Sequence, residues 1–131
     1  MSDERLALLQ EGLEAFNRGE TDFTLSIFAE DVECHVASNL VNSGTYIGHN
    51  GYLEMVTSWN EAWESITAQV VATEDLENDH LLVEIHQQAV GAGSGVPVEM
   101  TIYWLFRFVG GKVTRFHLYA DRKAAVAAAR G

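Results

Sequence analysis

The chain has 131 residues, 47% of them apolar, a single proline and a formal net charge of −11. This length suits one domain with one core, the composition excludes a disordered or collagen-like chain, and no apolar run reaches the roughly 18 residues that span a bilayer. The negative charge repels phosphate backbones and anionic membrane surfaces, so neither nucleic acid nor a membrane is an expected partner.

The first five residues, M-S-D-E-R, lack the basic and apolar regions of a signal peptide, which leads to the expectation of a cytoplasmic protein. Leu6, Leu9, Leu13 and Phe16 recur at spacings of three and four, the stripe of an amphipathic helix, with Asn17-Arg18-Gly19 as its terminator. Thr21 or Asp22 can cap a short second helix running to about Ala29, and Asp31 opens a strand over Val32 to Ala37. Ser38 to Gly44 reads as a polar loop with Asn39, Asn42 and Gly44 as turn residues. Asn50 can cap a third helix whose one face carries Leu53, Val56, Trp59 or Asn60, and Trp63. From Ile66 the chain reads as strands over 66–75, 80–90, 97–109 and 113–120, reversed at Glu77-Asn78-Asp79, at Gly91 to Gly95 and at Gly110-Gly111. An Ala-rich tail forms a short final helix. Helices followed by a meander indicate an α+β fold.

The turn at Gly110-Gly111 decides which side chains share a face. A two-residue primed turn pairs Trp104 with His117 and turns His117, Tyr119 and Asp121 inward; a three-residue loop with a bulge pairs Trp104 with Leu118 instead. Alternation favours the second register. Val98, Met100, Ile102, Trp104, Phe106 and Phe108 then join Phe116, Leu118, Val83 and Ile85 on a concave apolar face. Glu84, His86, Tyr103, Arg107, Arg115, His117 and Tyr119 form the outer face, which suits a two-fold homodimer.

The aromatic strands of Val90 to Ala125, with A-F-N-R-G-E (Ala15 to Glu20), F-A-E-D-V (Phe28 to Val32) and Y-I-G-H-N-G-Y (Tyr46 to Tyr52), resemble the SnoaL-like branch of the nuclear transport factor 2-like superfamily. The resemblance spans nearly the whole chain, so residues 1–131 are expected to be one SnoaL-like domain. It implies a cone-shaped fold, with three N-terminal helices on a curved, mostly antiparallel sheet. In that superfamily, ketosteroid isomerases use a tyrosine, an aspartate base and a second acid; the matching positions here are Gly12, Val36 and Trp104. SnoaL-type cyclases use an aspartate and a histidine, whose positions fall on Leu118 and again Trp104. These residues support neither chemistry, apart from the lone indole N–H donor of Trp104.

Other chemistry finds little support. Cys34 has no second thiol to pair with and reads as buried and inert. The five histidines show no H-E-x-x-H or His-x-His spacing, so no metal is expected, and nothing calls for a cofactor. Gly91 to Gly95 is a hairpin loop lacking the third glycine of a dinucleotide fingerprint, and Ser94 lacks a nucleophile elbow. The expected function is binding of a small, flat, largely apolar ligand between sheet and helices, framed by Cys34, Val36, Tyr46, Trp59, Trp63, Ile102, Trp104, Phe106, Phe116 and Leu118. Tyr46, His49 and Asn39 would supply polar contacts at its mouth. One rival is a cyclase- or isomerase-type enzyme using His117 with Asp121, or Cys34 with His35. The other is a non-catalytic dimerisation module with a filled core.

Overall fold

The apolar stripe through Leu9, Leu13 and Phe16 forms helix α1 (Ser2–Asn17), and paired hydrogen bonds from Gly19 N to Phe16 O and from Glu20 N to Ala15 O close it. The computed structural model describes residues 2–38, 40 and 43–130, with side chains from residue 7; Asn39, Asn42 and the Leu6 side chain lie outside the described residues. Helix α2 (Asp22–Ile27) stops two residues short of expectation, because Phe28 already adopts extended backbone and begins β1 (Phe28–Val36). Phe28, Val32, Cys34 and Val36 all point into the core, with the chain bulging between Phe28 and Glu33.

Where the expected polar loop ends, Gly44 opens a short edge strand, β2 (Gly44–Ile47), antiparallel to β1 with Tyr46 opposite Cys34. Helix α3 (Gly48–Glu61) follows at once, so Asn50 lies inside its first turn instead of capping it. A Cβ at Gly51 would lie 2.8 Å from the Tyr46 carbonyl carbon, so only glycine lets α3 fold back this closely on β2. The helix buries Tyr52, Met55 and Trp59 and ends before Trp63. Trp63 instead opens β3 (Trp63–Leu76), followed by β4 (His80–Gly91), β5 (Pro97–Val109), β6 (Lys112–Tyr119) and α4 (Arg122–Arg130).

The six strands form one curved, unclosed sheet in the order β2-β1-β6-β5-β4-β3, antiparallel except where β1 runs parallel to β6. At the β5–β6 hairpin the structure combines the two readings of the turn. Gly110 and Gly111 have φ of 59° and 81°, and Val109 pairs with Lys112, so the loop is the two-residue primed turn that the periodicity argument set aside. The register is nevertheless the bulged one, because Thr114 is the extra residue between Phe108↔Val113 and Arg107↔Arg115. Trp104 therefore lies opposite Leu118 and Val83, and the apolar sets of β4, β5 and β6 meet on one face.

That face forms the core with β1, α3 and α1, and the other face has a cover of its own. Helix α4 packs there against Leu82 and Leu105, flanked by Tyr103 and Tyr119. The outer face is therefore partly occupied, and less of it is open to a second copy than the strand pattern implied.

Candidate functional site

Helices α1, α2 and α3 lie over the concave face, and between them and the sheet is an apolar cavity of about 60 Å³. Its ceiling comes from Leu9, Leu13 and Phe16 of α1, and its side wall from Tyr52, Met55 and Trp59 of α3. Its floor is Val36, Trp104, Phe106, Phe116 and Leu118. The floor rings interlock. Trp104 meets Phe16 and Phe116 edge to face at centroid distances of 6.0 and 5.6 Å, and Phe106 stacks on Phe116 at 5.0 Å. Each such pair adds roughly 0.5–1.5 kcal/mol beyond the area it buries.

The floor thus holds Val36, Trp104, Phe106, Phe116 and Leu118, all expected there, and Trp59 stands in the wall. Cys34 and Ile102 are fully buried in the same core without lining the cavity. Trp63 packs its ring on Trp59 at 5.9 Å from the start of β3, because α3 ends at Glu61, two residues before the tryptophan it was expected to carry. Tyr46 faces a shallow surface groove with Asn50 and Leu53. His49 Nε2–H donates to the Phe28 carbonyl at 2.9 Å, pinning α3 to β1, so it is not a free donor at a pocket mouth.

All four positions that the family resemblance matched to catalytic groups, Gly12, Val36, Trp104 and Leu118, line this cavity. None carries a titratable side chain. Among the described lining residues Tyr52 alone is titratable, and burial pushes its phenol up to about 12. Burial, aided by the Glu33 charge, likewise pushes the Cys34 thiol up to about 12.

The rival acid–base pairs fall apart in space. His117 lies on the opposite face of the sheet, where its Nε2–H donates to Glu33 Oε2 at 2.8 Å and Tyr119 O–H donates to its Nδ1 at 3.0 Å. Desolvation holds His117 below the ordinary histidine range, against the opposing pull of Glu33, which fits a neutral ring with one donor and one acceptor nitrogen. Asp121 is exposed and accepts from Lys123 N at 3.2 Å, capping α4. Cys34 and His35, adjacent on β1, project to opposite faces, Cys34 into the core and His35 beside His117.

Three polar groups of the cavity escaped sequence reasoning: Thr24, Tyr52 and Gln87. Gln87 was the most legible. It continues the inward alternation of Val83 and Ile85, so a polar side chain falls where burial is due. It is 1% exposed, and its Oε1 has no hydrogen-bond partner; Trp104 Nε1 is in the same condition. Among the described residues no group of three or more His, Cys, Asp or Glu is placed to hold a metal ion, and no helix is long and apolar enough to cross a membrane.

The SnoaL-like domain signature matches residues 9–116. No curated protein matches the chain in sequence. Among solved structures, TerC co-crystallised with polyporic acid superposes with a TM-score of 0.78 at 16% identity, covering 96% of this chain and 98% of that one. A nuclear transport factor 2-like protein of unknown function from Burkholderia pseudomallei gives 0.79 at 16% identity, covering 93% and 94%. A Catenulispora acidiphila protein with a ketosteroid isomerase-like fold, in complex with trimethylamine, gives 0.74 at 15% identity, covering 92% and 89%.

Proposed function

Since the chain belongs to the SnoaL-like domain family of the nuclear transport factor 2-like superfamily, we propose that it binds a small, flat, largely apolar molecule in the cavity between sheet and helices. One observation carries this reading: the positions matched to family catalysts all line the cavity, and none of them can move a proton. Tyr52, protonated at neutral pH, can donate a hydrogen bond but cannot act as a base there. The related folds that hold polyporic acid and trimethylamine add support for a small-molecule role. A homodimer through the uncovered part of the outer face belongs to the same proposal.

A cavity of about 60 Å³ is smaller than the roughly 150 Å³ that accommodates benzene in a protein core. Ring binding therefore requires Phe16 and Trp104 to change rotamer, or α1 to lift. Trp59 and Trp104 both line the cavity, so occupancy is readable by tryptophan fluorescence. Titration with naphthalene and with polyporic acid should give saturable quenching, with an affinity changed by Trp104→Ala, which reshapes the cavity floor, and untouched by His117→Ala on the far face. Unchanged affinity in Trp104→Ala would place binding elsewhere, and no saturation with any ring compound would make the cavity a void in an ordinary core.

A further inference from the structure

Arg107 and Arg115 face each other across β5 and β6 on the outer side of the sheet, in a chain with 19 acidic against 8 basic residues. Like charges directly opposite one another destabilise a sheet. The bulge creates this juxtaposition: continued without an extra residue, the register would set Arg107 opposite Thr114. Carboxylates do not relieve it. Arg18, Arg122 and Arg130 each hold a glutamate, whereas neither Arg107 nor Arg115 has an ion-pair partner among the described residues. Glu33 neighbours Arg115 on β1, but its carboxylate is turned to His117 Nε2 at 2.8 Å. Arg107 is also held in place. Its Nε is buried without a partner while the residue as a whole is half-buried, so the inner edge of the guanidinium lies on the sheet and its terminal nitrogens reach the surface. On its other side stands His80, opposite Arg107 on β4 and buried, with Nδ1–H donating to the Glu77 carbonyl at 3.0 Å. Burial foremost, with the two guanidinium charges, holds His80 below the ordinary histidine range against the pull of the Glu77 carbonyl and Asp79. The ring is therefore neutral, and the positive charge of this row belongs to the arginines.

We propose that Arg107 and Arg115 form a binding site for a small, doubly charged oxyanion, phosphate or a phosphate monoester, separate from the apolar cavity on the other face of the sheet. Guanidinium forks match the geometry of such a group, and a dianion neutralises both charges at once. The net charge of −11 keeps extended polyanions away, so the pair selects one compact anionic group.

Calorimetric titration with inorganic phosphate and with phenyl phosphate, at constant ionic strength and about pH 8 where both are dianions, should show one saturable site. Tighter binding of phenyl phosphate would mark a monoester as the ligand, and equal affinities the free ion; both results support the site. Arg107→Gln and Arg115→Gln should each weaken binding by about tenfold or more. Arg122→Gln, which removes a surface ion pair with Glu74, should leave it unchanged. Equal losses in all three variants would reduce the effect to diffuse charge and overturn the site. No saturable binding of either compound would do the same, and a lowered sedimentation coefficient for Arg107→Glu would then assign the arginines to a contact between copies. Thermal melting in phosphate-free chloride buffer gives an independent check: Arg115→Gln, which removes the like-charge contact, should melt no lower than the unaltered chain. A clear drop would mean that Arg115 already has a structural partner and is not waiting for an anion.

Discussion

Burial governs the reactivity of Cys34 and Tyr52. Both are held protonated in the fold, each with its pKa raised to about 12 from ordinary values of 9.0 and 10.0. Between pH 9.0 and about 12 the unfolded thiol has lost its proton while the folded one keeps it, so the unfolded state binds fewer protons and stability falls as pH rises. Below pH 9.0 that stability is fully present. Unfolding melts should show a decline beginning near pH 9.0, with each group contributing at most about 1.4 kcal/mol per pH unit. Cys34→Val should postpone the onset toward pH 10.0, where the tyrosine takes over. An unchanged onset would mean that the thiol is solvated. Inertness of Cys34 was readable from its lack of a partner thiol and its place in an apolar strand. The burial of Gln87 was equally present in the alternation of β4, but polar residues on a core face stand out only once the face itself is known.

At the scale of elements, the reading succeeded where periodicity was strong and failed at boundaries. Strand β5 matched its expected limits because its thirteen residues alternate almost throughout, Leu105 under α4 being the apolar exception on the outer face. The end of α3 was missed because Trp63 falls at helical spacing from Trp59 and packs on it regardless of which element carries it. β2 was hidden because four residues are too few for a pattern, and its pairing is with β1. At the last hairpin the sequence signalled a register but not its device: the primed turn sits at the two glycines, and the bulge at Thr114 restores the side-chain sets. Helix α1 is tied to edge strand β3 by one side chain. Asn17 Nδ2–H donates to Ala68 O and Asn17 Oδ1 accepts from Ala68 N, both at 3.1 Å, so the asparagine stands in for a neighbouring strand. Asn17→Ala should cost about 1–3 kcal/mol, since the Ala68 amide and carbonyl lose their partners. It should also speed ring entry in stopped-flow fluorescence, because the ceiling of the cavity is freed. A faster melt with unchanged entry rate would show that α1 does not gate the cavity.

Seen whole, the sheet separates two environments. Its concave face is apolar and enclosed, while its outer face carries the Glu33–His117–Tyr119 chain beside His35, with α4 covering Leu82 and Leu105. Any two-fold dimer must use what α4 leaves open. His35→Glu, placing a second acid beside Glu33 on an already acidic chain, should give monomers by sedimentation. An unaltered sedimentation coefficient, whether of monomer or dimer, would remove this face from the interface. The pairing of β1 with β6 has a consequence for how the molecule is made. These central strands join residues as far apart as Glu33 and His117, 84 positions along the chain, and both contribute to the cavity floor. Contacts of such long range are closed late and slowly. On the ribosome, β1 must therefore wait with its inner edge unpaired until the sixth strand has emerged, and a nascent chain stalled before that point has no cavity at all.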